Sequence, residues 1–232
     1  VPDASLIASQ AADTPRRRGW MNLFAPTDVV RASRACPAWA PEDAAAACPR
    51  CGVSVGPGVA NPCDPARGCA RCRNQPPPWR RLTRLGAYAA PLDSWVRDMK
   101  YARAWTFGPH LGKLLAGALP TGPAPRPVLV VPVPLHWSRR WQRGYNQAQL
   151  MARSLAAARG HEDAAVLRRR RAAGRQTRLS ATARAKNLRN AFVDDVKTTG
   201  ATLTACVRVL KRMGAQNVDC AVAAVTNPPD GR

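Results

Sequence analysis

Val193-Asp194-Asp195-Val196-Lys197-Thr198-Thr199-Gly200-Ala201-Thr202-Leu203 is the stretch from which the rest of the chain takes its meaning. Two adjacent carboxylates precede a short turn of hydroxyls and glycine, and Leu203 to Met213 then reads as a helix ended by Gly214. Hydroxyls and free backbone N–H groups at a helix start can surround a phosphate, which the positive end of the helix dipole favours. Gly200 lets the backbone come close to such a group. The acid pair can accept hydrogen bonds from sugar hydroxyls, so the whole order suits a phosphorylated sugar. The plainer reading, a strand end followed by a capped helix, accounts for each residue singly but less well for all of them together.

Val128 to Val133 is the clearest buried strand of the chain, apolar throughout as parallel strands covered on both faces are. It leads into Pro134-Leu135-His136-Trp137-Ser138-Arg139-Arg140-Trp141-Gln142-Arg143-Gly144-Tyr145-Asn146-Gln147. In open α/β sheets ligands sit outside the carboxyl ends of strands, so Arg139, Arg140 and Arg143 are placed to hold a diphosphate in bidentate fashion. A solvated basic turn before the helix Gln147 to Ala158 would explain the arginines but not Gly144 to Gln147. Upstream, Leu85 to Ala89 reads as a short strand. Pro91 to Arg103 reads as an amphipathic helix with Leu92, Trp95, Val96 and Met99 on one face, and His110 to Leu119 as a further helix. All of these are read as scaffold, Lys100-Tyr101 included. Val218 to Val225 supplies another buried strand, and Cys206 and Cys220 fit apolar faces as core cysteines.

Cys48-Pro-Arg-Cys51 and Cys69-Ala-Arg-Cys72 form two knuckles separated by 17 residues. That spacing matches a closed four-thiolate zinc site, in which the metal is structural. Disulfides are disfavoured in a reducing compartment, and a redox motif would need a βαβ context that is absent here. Cys36 and Cys63 are left over, as unpaired thiols or as a replacement for one ligand. Pro76 to Trp79 is a proline-rich joint expected to separate this module from the rest of the chain.

The chain has 232 residues, 46% of them hydrophobic, enough for one sizeable core and a small accessory module. Its 36 basic and 14 acidic residues give a net charge of +22. Such a charge favours polyanions, although arginine in an alanine- and proline-rich background also follows from GC-rich coding. From Ala164 to Val193 there are nine basic residues and no acidic one, which reads as a mobile cationic segment or a solvated face. No apolar run reaches the length of a transmembrane helix and the first 30 residues lack a secretory core, so a cytoplasmic protein is expected. Met21 is a candidate start, and residues 1–35 read as disordered.

The acid pair and its hydroxyl turn resemble the phosphoribosyl-pyrophosphate (PRPP) loop of type I phosphoribosyltransferases. The paired knuckles, Pro132-Val133-Pro134-Leu135-His136 and Arg143-Gly144-Tyr145-Asn146-Gln147 resemble the ComF family of competence-associated proteins, over roughly residues 45 to 225. The resemblance implies an α/β fold of phosphoribosyltransferase type, a parallel sheet flanked by helices, preceded by a small zinc ribbon. The expected divisions are a ribbon over 36–75, a phosphoribosyltransferase-like domain over 80–226 and a tail over 227–232. It implies structural Zn at Cys48, Cys51, Cys69 and Cys72, and Mg²⁺ bound together with PRPP. Asp194 and Asp195 would hold the ribose, Thr198, Thr199, Gly200, Ala201 and Thr202 the 5′-phosphate, and Arg139, Arg140 and Arg143 the pyrophosphate. Gln176, Leu179, Arg184 and Asn187 resemble a flap that closes over substrate. The family is associated with DNA uptake, which adds single-stranded DNA and the uptake machinery as partners beside PRPP or a phosphoribosylated nucleotide. The resemblance leaves two functions: transfer of a phosphoribosyl group to an acceptor, or a non-enzymatic, DNA- or partner-binding role with a degenerate phosphoribosyl site. Most of the seven tryptophans read as packing. Asn190-Ala191-Phe192 runs directly into Val193, so a central strand before the acid pair is expected to be missing, unless Leu188 to Val193 is drawn into the sheet. Lys197 also stands where an apolar or small residue is usual.

Overall fold

The computed structural model describes residues 39–55, 63–64, 66–120, 128–169, 177–179 and 189–227. The apolar run after the unperiodic 121–127 forms strand β2 (Val128–Pro132), and the acid-pair segment forms strand β6 (Arg189–Lys197). Around them lie β1 (Leu82–Ala87), β3 (Glu162–Asp163) and β7 (Val218–Val225) in one parallel sheet of order β1-β7-β6-β2-β3. Two further short strands, β4 (Leu167–Arg169) and β5 (Thr177–Leu179), pair antiparallel with each other apart from this sheet. The helices are α1 (Ala70–Asn74), α2 (Leu92–Tyr101), α3 (Phe107–Ala118), α4 (Trp137–Arg143), α5 (Gln147–Arg159) and α6 (Ala201–Arg212). This is the α/β class, a parallel sheet flanked by helices, that the sequence led us to expect.

Of the two expectations for the segment before the acid pair, the structure corrects the missing strand and bears out the other, a segment drawn into the sheet up to Val193, from Arg189 onward. Residues Arg189–Lys197 are themselves the central strand, pairing with β2 from Val128↔Arg189 to Pro132↔Val193 and with β7 from Asn190↔Val218 to Lys197↔Val225. The short apolar run Ala191-Phe192-Val193 suffices because the strand continues through the acid pair instead of stopping before it. With both ladders made, no backbone group at the centre of the sheet is left without a partner on account of the short lead-in.

Alternation along β6 splits the core into two layers, as the period of a strand requires. Val193 is fully buried among Leu85, Trp95, Val96, Met99, Leu111, Met151 and Leu155 of β1, α2, α3 and α5. Phe192, also fully buried, packs on the other face against Leu203, Cys206, Val207 and Leu210 of α6 and Cys220 of β7. Cys206 and Cys220 are thus core residues. Leu92, Trp95, Val96 and Met99 form the buried stripe of α2. His110 packs edge-on to Trp95 and takes no further part.

The cysteine module is not held apart from the sheet. The Leu82 N–H donates to Pro49 O at 2.9 Å and the Glu42 N–H to Leu85 O at 2.7 Å, so the outer edge of β1 is covered. Gly52, at φ 73°, lies against this edge so closely that an added Cβ would stand 2.5 Å from Leu82 Cδ2. The expected joint is equally tight: Trp79 is 3% exposed and its indole N–H donates to Arg50 O at 2.6 Å. The readings for residues 1–35, including Met21, for Cys36 and for Gln176, Arg184 and Asn187 lie outside the described residues.

Candidate functional site

The carboxyl ends of β2 and β6 open into a cleft of about 220 Å³. Asp194 and Asp195 line it from β6, Arg139 and Arg143 from α4, Arg169 from β4, and Thr202 from the first turn of α6. The segment after β2, a loop by its sequence, is in fact helical over Trp137–Arg143, close to two turns. His136 caps it, accepting from the Ser138 N–H and sharing a 2.7 Å hydrogen bond with the Ser138 hydroxyl. Arg140 lies on this exposed helix but does not line the cleft.

Gly144 to Gln147, the part of the segment that a basic turn could not explain, is an anchor. The Tyr145 hydroxyl and the Gln147 amide both donate to Met99 O, at 2.5 and 3.2 Å. Asn146 caps α5 with its side-chain oxygen on the Ala148 N–H and donates its amide to Val133 O at 3.0 Å. These bonds fix the end of α2 against the cleft. There Lys100 Nζ reaches Asp195 Oδ2 at 3.0 Å, with Asp195 14% exposed. Lys100, scaffold on the sequence alone, is the cationic partner of the acid pair. A contact between residues so far apart in the chain leaves no periodic or spacing signal. Tyr101, on the same turn, is 78% exposed and lies under the Arg143 guanidinium at 5.6 Å.

The two aspartates are not equivalent. Asp195 projects toward Lys100, and its Oδ1 accepts from the Val196 N–H at 2.7 Å. Asp194 accepts from the Asp195 N–H at 2.9 Å, and burial first, then the neighbouring Asp195 charge, push its carboxyl well above the usual carboxylate range. An acid pair of this kind is costly to ionise twice while empty and is ready for a cation or for hydroxyl donors.

After Lys197 the chain turns through Thr198, Thr199 and Gly200, whose φ of 81° is left-handed, and α6 begins. The Ala201 N–H donates to Thr199 Oγ1 at 3.4 Å, while Thr198, Thr199, Ala201 and Thr202 are exposed. The turn and the start of α6 are therefore open to solvent, where an anion could be taken up.

A second cluster lies beneath this loop. The Sγ atoms of Cys48, Cys51, Cys69 and Cys72 all lie within 4.8 Å of one another, with Cys48 to Cys72 at 4.0 Å and Cys51 to Cys69 at 3.6 Å. Four thiolates at about 2.3 Å around a tetrahedral zinc stand about 3.8 Å apart, so the set fits that ion. The Cys69 N–H donates to Cys48 Sγ at 3.3 Å, the kind of outer contact that steadies a thiolate. The Cys51 thiol, donating to Cys48, is the largest cause that brings Cys48 down to about 3, and burial pushes Cys72 up to about 12. Cys63 packs beside the four without joining them. Two buried cations close the surroundings: Lys197 is 7% exposed and Arg84 6%. Arg84 pairs with Glu42 at 2.6 Å, yet its Nε and one terminal nitrogen have no hydrogen-bond partner among the described residues. Buried cationic groups of this kind suit a dianionic zinc tetrathiolate. Four clustered cysteines that could bind a metal such as zinc are thus a feature of the structure.

No helix among the described residues is long and apolar enough to cross a membrane. No family model matches the chain. It is 38% identical over 191 residues to the DNA utilization protein YhgH of Salmonella typhi, covering 74% of this chain and 80% of that protein. With the YhgH protein of Escherichia coli K12 it shares 34% over 189 residues, covering 74% and 80%. With competence protein F of Haemophilus influenzae it shares 30% over 174 residues, covering 66% and 76%. Among solved structures, the allosteric regulatory enzyme of purine biosynthesis matches at 22% identity and a TM-score of 0.37, over 51% of this chain and about a quarter (26%) of that one.

Proposed function

The chain belongs to the family of competence protein F and the DNA utilization protein YhgH, and we propose that it acts as a phosphoribosyltransferase, binding PRPP with Mg²⁺ and passing the phosphoribosyl group to an acceptor. The observation that carries this reading is the convergence of Asp194 and Asp195, two arginines of α4 and the start of α6 on one cleft at the carboxyl end of a parallel sheet. Asp194 and Asp195 hold the ribose hydroxyls and offer hard oxygen ligands, and Thr198 to Thr202 take the 5′-phosphate. Arg139 and Arg143, with Arg169 of β4, hold the pyrophosphate. When bound beside the acid pair, Mg²⁺ would supply neutralisation of the diphosphate charge. An acceptor lone pair forms the bond to the anomeric carbon as the bond to pyrophosphate oxygen breaks, and the departing electron pair stays on pyrophosphate. The carboxylates stabilise the positive charge that develops on the sugar, so catalysis is positioning and electrostatics. In keeping with its relatives' names, the reading places this chemistry in DNA uptake or utilization, in the cytoplasm.

Pyrophosphate release from PRPP and Mg²⁺, with water or added bases and amines as acceptors, tests the reaction. Asp195→Ala is expected to lower the rate by about 10²-fold or more, the scale seen when a group stabilising transition-state charge is removed. Release that is unchanged in the variant, or absent with every acceptor while PRPP binds, would contradict turnover.

One observation favours the binding reading. Trp137 and Trp141 are 70% and 87% exposed, four residues apart on the face of a helix that also carries Arg139, Arg140 and Arg143. Exposed to this degree, these two stand outside the packing expected of most of the tryptophans, and they offer stacking surfaces beside arginines, the arrangement that single-stranded DNA uses. On that reading, the Trp137→Ala, Trp141→Ala double variant loses about tenfold or more in oligothymidylate affinity, given ~1–3 kcal/mol for each stacked base, and Asp195→Ala loses none.

A further inference from the structure

Lys100 is the charged residue of the cleft to which the proposed function gives no task. It lies in the last turn of α2, lines the cleft beside Asp194 and Asp195, and places Nζ 3.0 Å from Asp195 Oδ2. The two side chains are 22% and 14% exposed, so this is a half-buried pair and not one of the solvated contacts that contribute little. The backbone that carries the lysine is held in place, because Met99 O receives both the Tyr145 hydroxyl and the Gln147 amide. The helix stops directly afterwards: the Ala102 and Ala104 N–H groups both return to Asp98 O, and Arg103 turns at φ 56°. With the backbone fixed on both sides, the part of Lys100 that can move is its four-carbon stem.

The same turn also touches the other half of the cleft. Tyr101, next in the chain, lies under the Arg143 guanidinium at 5.6 Å, and Arg143 lines the cleft together with Arg139 and Arg169. Lys100 is therefore one residue from the arginine side while its ammonium group sits on the acid side. Among the described residues the lining holds four cations, Lys100, Arg139, Arg143 and Arg169, against the carboxylates of Asp194 and Asp195. A lone divalent cation would enter a cleft of net positive charge and meet a carboxylate already engaged by an ammonium group. A diphosphate meets the reverse. The arginines attract it, and it offers Lys100 more negative charge than one carboxylate does.

We propose that Lys100 is a positioning residue that fills the cation place of the acid pair in the empty cleft and passes to the diphosphate when that group enters, so that a divalent cation reaches Asp195 with or after a diphosphate and not before it. The exchange replaces one ion pair by another; no covalent bond changes and no proton moves. Its consequence is an order of binding. A metal bound first and alone would tie up the carboxylates before the sugar hydroxyls arrive, and Lys100 prevents this. The diphosphate part rests on the proposed function, whereas the exclusion of a lone cation needs no phosphoribosyl ligand.

Mn²⁺ alone, with its bound fraction read by electron paramagnetic resonance, and inorganic pyrophosphate without metal, read by calorimetry, test the two halves on the full chain. Lys100→Met is expected to bind Mn²⁺ at least about tenfold more tightly than the parent and pyrophosphate about tenfold more weakly, the scale of one hydrogen bond to a charged group. Lys100→Arg is expected to stay near the parent in both, and Asp195→Ala added to Lys100→Met to remove the gain in Mn²⁺ affinity. If Lys100→Met fails to fold, Lys100→Gln carries the same expectations. Mn²⁺ binding as tight in the parent as in the uncharged variant, a gain that survives Asp195→Ala, or an unchanged pyrophosphate affinity would each overturn the proposal. A parent that binds pyrophosphate and PRPP while the Lys100 variants behave like it overturns this inference and leaves the proposed function standing; a parent that binds neither ligand overturns both.

Discussion

Cys48→Ser is expected to abolish metal binding in the ribbon and to lower the melting temperature by more than about 10 °C. Loss of a structural metal is among the few single changes that cost on the order of 4 kcal/mol or more, and each kcal/mol is worth about 2–4 °C in a chain of this size. The cost is large because the knuckle is built into the sheet. Pro49 O and Arg50 O, between Cys48 and Cys51, receive the Leu82 N–H and the Trp79 indole N–H, and Cys48 itself is fully buried. A knuckle without metal releases these two acceptors and uncovers the edge of β1. Zinc content by atomic absorption and a thermal melt of the same preparation check it. Equal melting of the parent and the variant would mean that the ribbon is an appendage.

Asp194→Asn is expected to raise the stability of the empty protein and to weaken PRPP binding together. The folded-state pKa of Asp194 lies above its unfolded value, because burial and the Asp195 charge oppose ionisation. The native state then holds a proton that the unfolded chain has released. Stability from this group is therefore fully present below the unfolded pKa and is lost as pH rises through the folded one. Asparagine removes that loss, so the variant melts higher than the parent at neutral and alkaline pH and the slope of melting temperature against pH flattens. Affinity for Mg²⁺ and PRPP moves oppositely, falling by about ten- to hundredfold for the loss of a charged hydrogen bond of roughly 1.5–3 kcal/mol. Melting curves across pH, paired with calorimetric titrations, separate the two effects. A variant less stable than the parent at alkaline pH would show that Asp194 is structural.

The parts of this architecture that are legible in the sequence are those carried by local pattern. Val218 to Val225 stands as a buried strand with the bounds expected from its apolar run, and α2 buries the four residues its period selects. The cysteine spacing places four sulfurs together because each knuckle is a local turn. What the sequence could not disclose is contact across the fold. The pairing of Lys100 with Asp195, the anchoring of Tyr145 and Gln147 on Met99 O, and the support of Gly200 by Trp79 all join residues far apart in the chain. The strand through Asp194 and Asp195 is legible only as the alternative that draws Leu188 to Val193 into the sheet, and its continuation through the acid pair is not. Its three apolar residues are too few to stand out, and β2 and β7 on either side determine that it pairs. The exposed tryptophans are likewise hidden, since Trp137 and Trp141 sit on a helix that the arginine-rich pattern disguises as a loop.

On the proposed function, the cleft grips a phosphoribosyl group through the acid pair. Thermal unfolding of the zinc-loaded chain with Mg²⁺ alone, with PRPP alone and with both tests it most directly, since a ligand that binds only the folded state raises its apparent stability. The expected result is a cooperative transition that moves upward with Mg²⁺ and PRPP together, by an increment equivalent to about 4 kcal/mol at a thousandfold excess over Kd, and that stays in place in Asp195→Ala. A transition indifferent to the ligands in the parent, or one shifted equally in Asp195→Ala, would contradict it.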